Sequence, residues 1–274
     1  MSLQSPSARS NGIQKLFKYK PFHENDYEYL ERIFKNLELY FPSPTALNDP
    51  FECKTRFVIG DLNSPNYRDI HESWCVYTQM NRKPGLNKVE YIKYYRSLSL
   101  DQHLKNTELI RQDMHDINDS RWRIFSLSKN HCSPLMWAHY ANNHKGICLE
   151  FDCDNSIFGR AYKVSYTKTL NKIDVTEDDG DLYFNSLLNK TTPWEYEQEY
   201  RVLGESSNQI SGLPTVIDSA FHYPSEFLTG IIFGARMNKK DIDIVKSWLE
   251  DSFSHVTLKK IVLLEDGRLD TQPI

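Results

Sequence analysis

The chain has 274 residues, of which 39% are hydrophobic and 26% charged, and its formal net charge at pH 7 is -4. This composition supplies enough apolar material for a core and excludes wholesale disorder. The slightly negative charge argues against a broad basic surface for tight nonspecific binding of nucleic acid. Because the sequence contains no apolar run near the roughly 20 residues of a membrane helix, we expect no membrane association.

Cysteine usage points to a reducing compartment. The number of cysteines is odd and the sequence contains no C-x-x-C pair, which argues against a disulfide framework and against structural zinc. We therefore predict a cytoplasmic protein with free thiols and no metal. The cysteines are Cys53, Cys75, Cys132, Cys148 and Cys153.

The N-terminal segment is polar, rich in serine and without a hydrophobic signal core. We predict a disordered tail over residues 1–12 and a single domain over residues 13–274. Residues 16–20 are typical of a short first strand that ends before Pro21. Asn25 and Glu28 have capping-box spacing and predict the start of a helix.

Helical and extended patterns alternate irregularly along the rest of the chain. Residues 39–41 predict a short strand, and apolar spacing from 87 to 119 predicts two helices within a helical insertion over 60–119. Ser133 and Pro134 favour a helix start between the predicted strands 124–128 and 147–151. Further predicted elements are a strand near 161–166, an acidic loop at 174–181, a helix at 181–190, a strand at the end of 194–203, a strand at 228–233, a helix capped by Asn238 and a strand at 256–264.

This order lacks regular βαβ alternation. It favours an α+β fold with a mixed or mainly antiparallel sheet and peripheral helices. The sequence also lacks the phosphate-binding loop G-x-x-x-x-G-K-[ST], the dinucleotide motif G-x-G-x-x-G, the zinc motif H-E-x-x-H and the nucleophile elbow G-x-S-x-G. Candidate chemistry therefore rests on denser polar and aromatic clusters.

One cluster lies late in the chain. Glu197 and Glu199 are two residues apart, and on a strand both carboxylates would project from one face. Carboxylates held close together raise each other's pKa, which suits acid–base or charge-stabilising work. A structural ion pair between one of them and Arg201 is the alternative. Trp194 precedes this cluster and is a further candidate for the site.

A second cluster surrounds the predicted strand 124–128. Ser126 and Ser128 would share one strand face, and their hydroxyls could bind a ribose or a phosphate. Aromatic side chains on the following helix could stack on a flat ring, although core packing explains them equally well. These candidates are Trp137, His139 and Tyr140, followed by His144 and Lys145.

Two clusters lie near the start of the chain. The predicted first strand carries Lys18 and Tyr19. Asn48 and Asp49 precede Pro50 in a typical turn sequence, and Glu52 could add a carboxylate to a site. A purely structural turn is the alternative for this segment.

In this order, the clusters resemble a bacterial family of uncharacterised proteins, domain of unknown function 2971. The resemblance spans about residues 15–236 and rests on six stretches. They are the opening Leu-x-Lys-Tyr strand, Asn48 to Glu52, Ser126 to Ser128, Met136-Trp137 with His139-Tyr140, His144 to Gly146, and Trp194 to Arg201.

The order of these clusters is also similar to that of ADP-ribosyltransferases, in which a first-strand residue and a central hydroxyl or aromatic hold NAD and a late glutamate drives transfer. This resemblance implies that the first-strand residue that holds NAD is Lys18 or Tyr19. It implies that the central hydroxyl or aromatic residue is Ser126, Ser128 or Tyr140. It further implies catalysis by Glu199, with Glu197 orienting the acceptor.

The resulting hypothesis is an enzyme that uses NAD as a substrate and modifies a protein or nucleic acid, in phage defence or a toxin-like system. Two alternatives stay open. One is a non-catalytic module that binds a nucleotide or a partner protein. The other is a nuclease or hydrolase with a divalent metal held by Asp49, Glu52, Glu197 and Glu199.

Overall fold

A computed structural model describes residues 6–53, 56–82, 85–169, 172–174, 176, 184, 186–206, 212–249 and 251–274. The helices in these ranges are α1 (Tyr27–Lys35), α2 (Pro65–Arg82), α3 (Lys88–Arg96), α4 (Leu100–Arg121), α5 (Pro134–Tyr140) and α6 (Lys239–Ser247). The strands are β1 (Lys15–Lys20), β2 (Glu38–Tyr40), β3 (Arg56–Val58), β4 (Trp122–Ser128), β5 (Ile147–Asp152), β6 (Tyr162–Lys163), β7 (Ser165–Thr167), β8 (Lys172–Asp174), β9 (Asn189–Thr191), β10 (Glu199–Glu205), β11 (Ala220–His222), β12 (Leu228–Phe233), β13 (Thr257–Leu263) and β14 (Leu269–Pro273).

The central feature is an eight-stranded sheet in the order β14-β13-β12-β5-β1-β4-β10-β6. Neighbouring strands run antiparallel except β12 and β13, which are parallel. Three separate two-stranded sheets pair β11 with β2, β3 with β8 and β7 with β9. The prediction of an α+β fold with a mixed, mainly antiparallel sheet is confirmed.

The two faces of the sheet carry different cores, because successive side chains of a strand alternate between faces. Leu16 and Phe151 belong to the larger core, which also contains side chains of α1 and α6. Phe17 and Tyr19 lie on the opposite face, where they pack against Trp137 of α5. The candidate site lies on this second face.

Helices α2, α3 and α4 form a helical unit between β3 and β4, within the predicted insertion over 60–119. Its own apolar cluster includes Cys75, Tyr95 and Ile110. Asn87 and Ser99 cap α3 and α4 with complete capping boxes. Helix α2, which the sequence pattern did not identify, supplies Cys75 to this cluster.

Several local predictions differ from the structure. The capping box at Asn25 is absent there, because residues Glu24–Asp26 form a 3-10 helix that leads into α1. Strand β9 occupies 189–191, where a helix was expected. The rest of that helix and the acidic loop at 174–181 lie largely outside the described residues. Strand β14, which was not predicted, pairs with β13.

The N-terminal segment also differs from expectation over its described part, residues 6–12. The amides of Ala8 and Arg9 donate to the carbonyl oxygens of Ala161 and Gly159, at 2.8 and 3.0 Å. The Ala8 side chain is fully buried. These contacts anchor a segment assigned to the predicted tail, whereas residues 1–5 lie outside the described residues. Across the described part of the chain, no helix combines the length and the apolar character needed to cross a membrane.

Candidate functional site

The candidate site is a cavity beside the junction of β1 and β4. These strands pair at one position, Phe17 with Ser128, whereas β4 pairs with β10 along seven residues. The cavity has a volume of about 120 Å³. Nine predicted residues line it: Lys18, Tyr19, Asn48, Glu52, Ser126, Ser128, Tyr140, Glu197 and Glu199.

The register of β10 on β4 explains why separate clusters converge. Glu199 lies opposite Ser128, and Arg201 lies opposite Ser126. Residues directly opposite each other in a sheet project from the same face, so these four side chains point to one side. Glu199 is 4% exposed and Arg201 is fully buried. The carboxylate of Glu199 therefore faces the interior of the site on the same side as Ser126.

Three buried glutamates surround two buried cations. The ammonium of Lys190 lies 2.6 Å from Glu197 Oε2 and 3.4 Å from both Glu199 Oε2 and Glu52 Oε1. The Arg201 guanidinium donates to both oxygens of Glu199, at 2.8 and 3.0 Å, and contacts Glu52. Three carboxylates thus face these two cations, and the Lys18 amine lines the same cavity.

Burial and the neighbouring charges shift the pKa values of Glu199 and Lys190. Burial raises the pKa of Glu199, and the positive charge of Lys190 opposes that rise. Burial by itself lowers the pKa of Lys190, but the Glu199 and Glu197 carboxylates raise it above the ordinary value overall. Lys190 is therefore a permanent cation at neutral pH, and it stabilises ionised carboxylates in a space from which water is largely excluded.

The backbone around Gln198 brings the two late glutamates together. Glu197 ends a 3-10 helix over Thr192–Glu197 and Glu199 begins β10, while Gln198 between them is left-handed with φ 46°. The prediction that both carboxylates enter the same space is confirmed by their shared cavity. The predicted reason, two positions on one strand, is wrong because the strand begins only at Glu199.

Tyr140 connects the glutamates to the rim of the cavity. Its hydroxyl donates to Glu197 Oε1 and accepts from the Asn48 side-chain amide at 3.3 Å. Burial and the Glu197 carboxylate raise the pKa of Tyr140. The phenol consequently stays protonated and acts as a hydrogen-bond donor.

Lys18 reaches across the junction of the two strands. Its Nζ donates to the carbonyl oxygen of Ser126 at 2.8 Å. Burial, assisted by the nearby charge of Lys20, lowers the pKa of Lys18 to about 7. An anionic group entering the cavity would favour the protonated form of Lys18.

The two serines and Tyr19 have different surroundings. The Ser126 side chain hydrogen-bonds Glu199 and lowers the pKa of that carboxyl. Ser128 Oγ donates to the Glu197 carbonyl oxygen at 2.7 Å and accepts from the Asn130 amide at 3.0 Å. Tyr19 likewise donates to the Asn130 carbonyl oxygen, at 2.7 Å. Ser126 therefore interacts with Glu199 in the wall of the cavity, whereas Ser128 and Tyr19 hold the loop after β4.

The turn after residue 47 combines structural and cavity roles. Asp49 Oδ1 accepts from the Phe51 amide at 2.9 Å, as expected for a side chain that fixes a turn. Asn48 and Glu52, on either side of Asp49, both line the cavity. Asp49 thus shapes the segment that presents its two neighbours.

The remaining predicted residues are placed elsewhere. Trp137 is fully buried and donates from Nε1 to the His131 carbonyl oxygen at 2.7 Å, so its predicted stacking role is corrected to core packing. His144 stacks on Trp137 with ring centroids 6.3 Å apart. Lys145 is exposed in the turn before β5. None of these three side chains lines the cavity.

A second, aromatic cleft adjoins the cavity and shares Asn48 and Tyr140 with it. Its volume is about 440 Å³. Lys190 Nζ lies 4.9 Å from the centre of the Trp194 ring, a cation–π distance that connects the cleft to the glutamates. The other side chains lining the cleft are His139, Pro193 and Tyr196.

Sequence reasoning missed Lys190, the residue with the most ionic contacts in the site. It is a single lysine between Asn189 and Thr191, in a segment where a helix was expected. In the structure it lies on β9, which pairs with β7, and its ammonium is beside the glutamates. A search for oppositely charged partners of the Glu197–Glu199 pair would have been the one available signal.

Comparison with known proteins gives one match. The model of a family described as a protein of unknown function (DUF2971) matches residues 136–202. This match confirms the family resemblance, over a segment that contains Tyr140, Lys190, Glu197 and Glu199. Neither curated proteins nor solved structures yield a significant match.

Proposed function

We propose that the chain cleaves the glycosidic bond of NAD and transfers the ADP-ribosyl group. The observation that carries this proposal is the convergence of Lys18, Ser126, Tyr140 and two glutamates on one cavity beside an aromatic cleft. This set combines carboxylates for a positively charged sugar with hydroxyls for its hydroxyl groups. The acceptor, a protein or a nucleic acid, is proposed from the resemblance to transferases alone.

The chemistry follows from charge. Breaking the bond between nicotinamide nitrogen and ribose leaves the electron pair on the ring and positive charge on the ribose. An acceptor nucleophile then bonds to the ribose carbon and loses a proton. The Glu197 and Glu199 carboxylates, which line the cavity, would stabilise such a developing positive charge.

The contacts distinguish the roles of the two late glutamates. Both oxygens of Glu199 are held by Arg201, whereas Glu197 is held by Lys190 and by Tyr140 at the boundary with the cleft. Because its partner Tyr140 also lines the cleft, we assign the contact with the ribose to Glu197 rather than to Glu199, the residue that the resemblance to ADP-ribosyltransferases implies. Glu199, with Ser126 and Arg201, positions the wall of the cavity opposite it.

Nicotinamide release from NAD tests this function. We expect Glu197→Gln to lower the rate by about a hundredfold or more, as the loss of one transition-state contact typically does. Glu195→Gln is the matched control, because Glu195 is an exposed residue of the same 3-10 helix. Equal rates for Glu197→Gln and the unsubstituted protein would overturn the assignment. Tight NAD binding with no release by the unsubstituted protein would favour a binding module.

The metal-dependent alternative has weaker support. The Lys190 ammonium already occupies the position among Glu52, Glu197 and Glu199 where a divalent cation would be held. Within the described ranges, no group of three or more His, Cys, Asp or Glu side chains is arranged to hold a metal ion. The carboxylates are thus arranged around a protein cation.

A further inference from the structure

We infer that the aromatic cleft is the subsite for the planar ring that leaves the nucleotide. This inference rests on the proposed function for the identity of the ligand, but it concerns binding and is tested by binding. The cavity has a volume of about 120 Å³, and the adjoining cleft, which shares Asn48 and Tyr140 with it, has a volume of about 440 Å³. A nucleotide bound in the cavity can therefore extend one of its parts into the cleft.

The aromatic side chains of the cleft favour a planar ring over the ribose and phosphates of a nucleotide. His139, Trp194 and Tyr196 present aromatic side chains around it, with His139 and Trp194 centroids at 6.1 and 6.3 Å from that of Tyr196. His139 is exposed, and Trp194 and Tyr196 are half-buried. Exposed aromatic faces gain free energy by stacking on a flat heterocycle, which gives this cleft a reason to bind one.

The boundary between cleft and cavity fits a bond between ring and ribose. Asn48 and Tyr140 line both spaces, and the Tyr140 hydroxyl donates to Glu197. A ring in the cleft consequently places its attached ribose beside Glu197. The Asn48 side-chain amide, at 3.3 Å from the Tyr140 hydroxyl, supplies a polar group at this boundary that can bind a ring substituent such as a carboxamide.

Lys190 makes this subsite sensitive to charge. Its ammonium lies 4.9 Å from the centre of the Trp194 ring and 2.6 Å from Glu197. A cationic pyridinium ring would feel repulsion from Lys190 that is relieved once the ring leaves as neutral nicotinamide. The subsite therefore favours the neutral ring over the charged one.

The test is calorimetric titration with nicotinamide, nicotinamide mononucleotide and ribose 5-phosphate. We expect Trp194→Leu and His139→Ala to weaken binding of both ring-containing ligands by about fivefold to a hundredfold, as loss of a stacking partner does. Binding of ribose 5-phosphate should not change. Tyr77→Leu, at an exposed aromatic residue of α2 outside the cleft, is the control and should leave every affinity unchanged.

Two results would overturn the inference. One is an unchanged affinity for the ring-containing ligands in both cleft variants, and the other is an equal loss for ribose 5-phosphate. His139→Ala keeps the measurement decisive if Trp194→Leu disturbs Lys190, because His139 is exposed on α5. Repeating the titration in Glu197→Gln separates the proposals. We expect ring binding to persist in Glu197→Gln while nicotinamide release is lost. Ring binding without nicotinamide release by the unsubstituted protein would refute the catalytic proposal and support the subsite.

Discussion

Arg201 shows how a single residue can be both structural and necessary for the site. Its guanidinium is fully buried and contacts Glu199 and Glu52, and it also donates to the Leu187 carbonyl oxygen. Burial lowers the pKa of Arg201, and the two adjacent carboxylates compensate the buried positive charge of its guanidinium. A buried ion pair contributes little net stability, but removing one partner leaves the other charge uncompensated.

We expect Arg201→Met to lower the free energy of unfolding by about 3–5 kcal/mol, because it leaves Glu52 and Glu199 buried with Lys190 as their shared cation. Urea denaturation at neutral pH measures this change. Arg268→Met is the control, since the Arg268–Asp266 pair lies on the surface, and its midpoint should match that of the unsubstituted protein. An Arg201→Met midpoint equal to that of the control would show that loss of the guanidinium does not destabilise the buried carboxylates.

At the scale of elements, the junction between the 3-10 helix Thr192–Glu197 and β10 decides the geometry of the glutamates. Gln198 has φ 46° and ψ 50°, a left-handed conformation that non-glycine residues adopt at a cost of roughly 1–2 kcal/mol. Its carbonyl oxygen accepts from the Lys129 amide at 3.1 Å, which ties the junction to the end of β4. This short turn lets Glu197 and Glu199 face the same cavity.

We predict that Gln198→Val lowers the free energy of unfolding by about 1–2 kcal/mol, because a β-branched side chain is strained in the left-handed region. Gln198→Gly should be at least as stable as the unsubstituted protein, since glycine adopts this conformation without steric cost. Thermal denaturation of both variants checks the order. Gln272→Val, an exposed position of β14, is the control for the side-chain change. A Gln198→Val protein as stable as this control would contradict the strain argument.

At the scale of the whole molecule, the helical unit of α2, α3 and α4 carries a buried polar cluster separate from the site. His71 is fully buried, and its Nε2 lies 3.0 Å from Thr107 Oγ1. Cys75 and the ring of His103 are its neighbours, and Glu72 lies 3.6 Å from His103. The pKa of His71 is lowered to about 4, mainly by burial and secondly by the nearby His103.

This shift makes folding sensitive to acid. In the unfolded chain His71 takes up a proton near its ordinary pKa of 6.5, whereas in the folded protein it stays neutral down to about pH 4. The contribution of His71 to stability should therefore be constant above pH 6.5 and fall between pH 6.5 and 4, by up to about 3 kcal/mol. Urea denaturation at pH 7 and pH 5 measures the loss. His71→Gln should show a smaller loss, and an identical loss in that variant would remove His71 as its cause.

The sequence by itself determined most of the secondary structure and the membership of the site. Apolar spacing and helix-start signals located β1, β4, β5, β12, α1 and the helices from α3 onward, because these patterns are local. The motif order supplied the family resemblance and nine cavity residues.

Tertiary structure alone decided how those residues are used. In the folded chain Trp137 is buried in the core and Lys190 lies among three glutamates. The aromatic cleft lies beside the cavity. These contacts join residues 52, 190 and 201, which lie on separate elements. They depend on strand order and register, long-range properties that local periodicity does not specify.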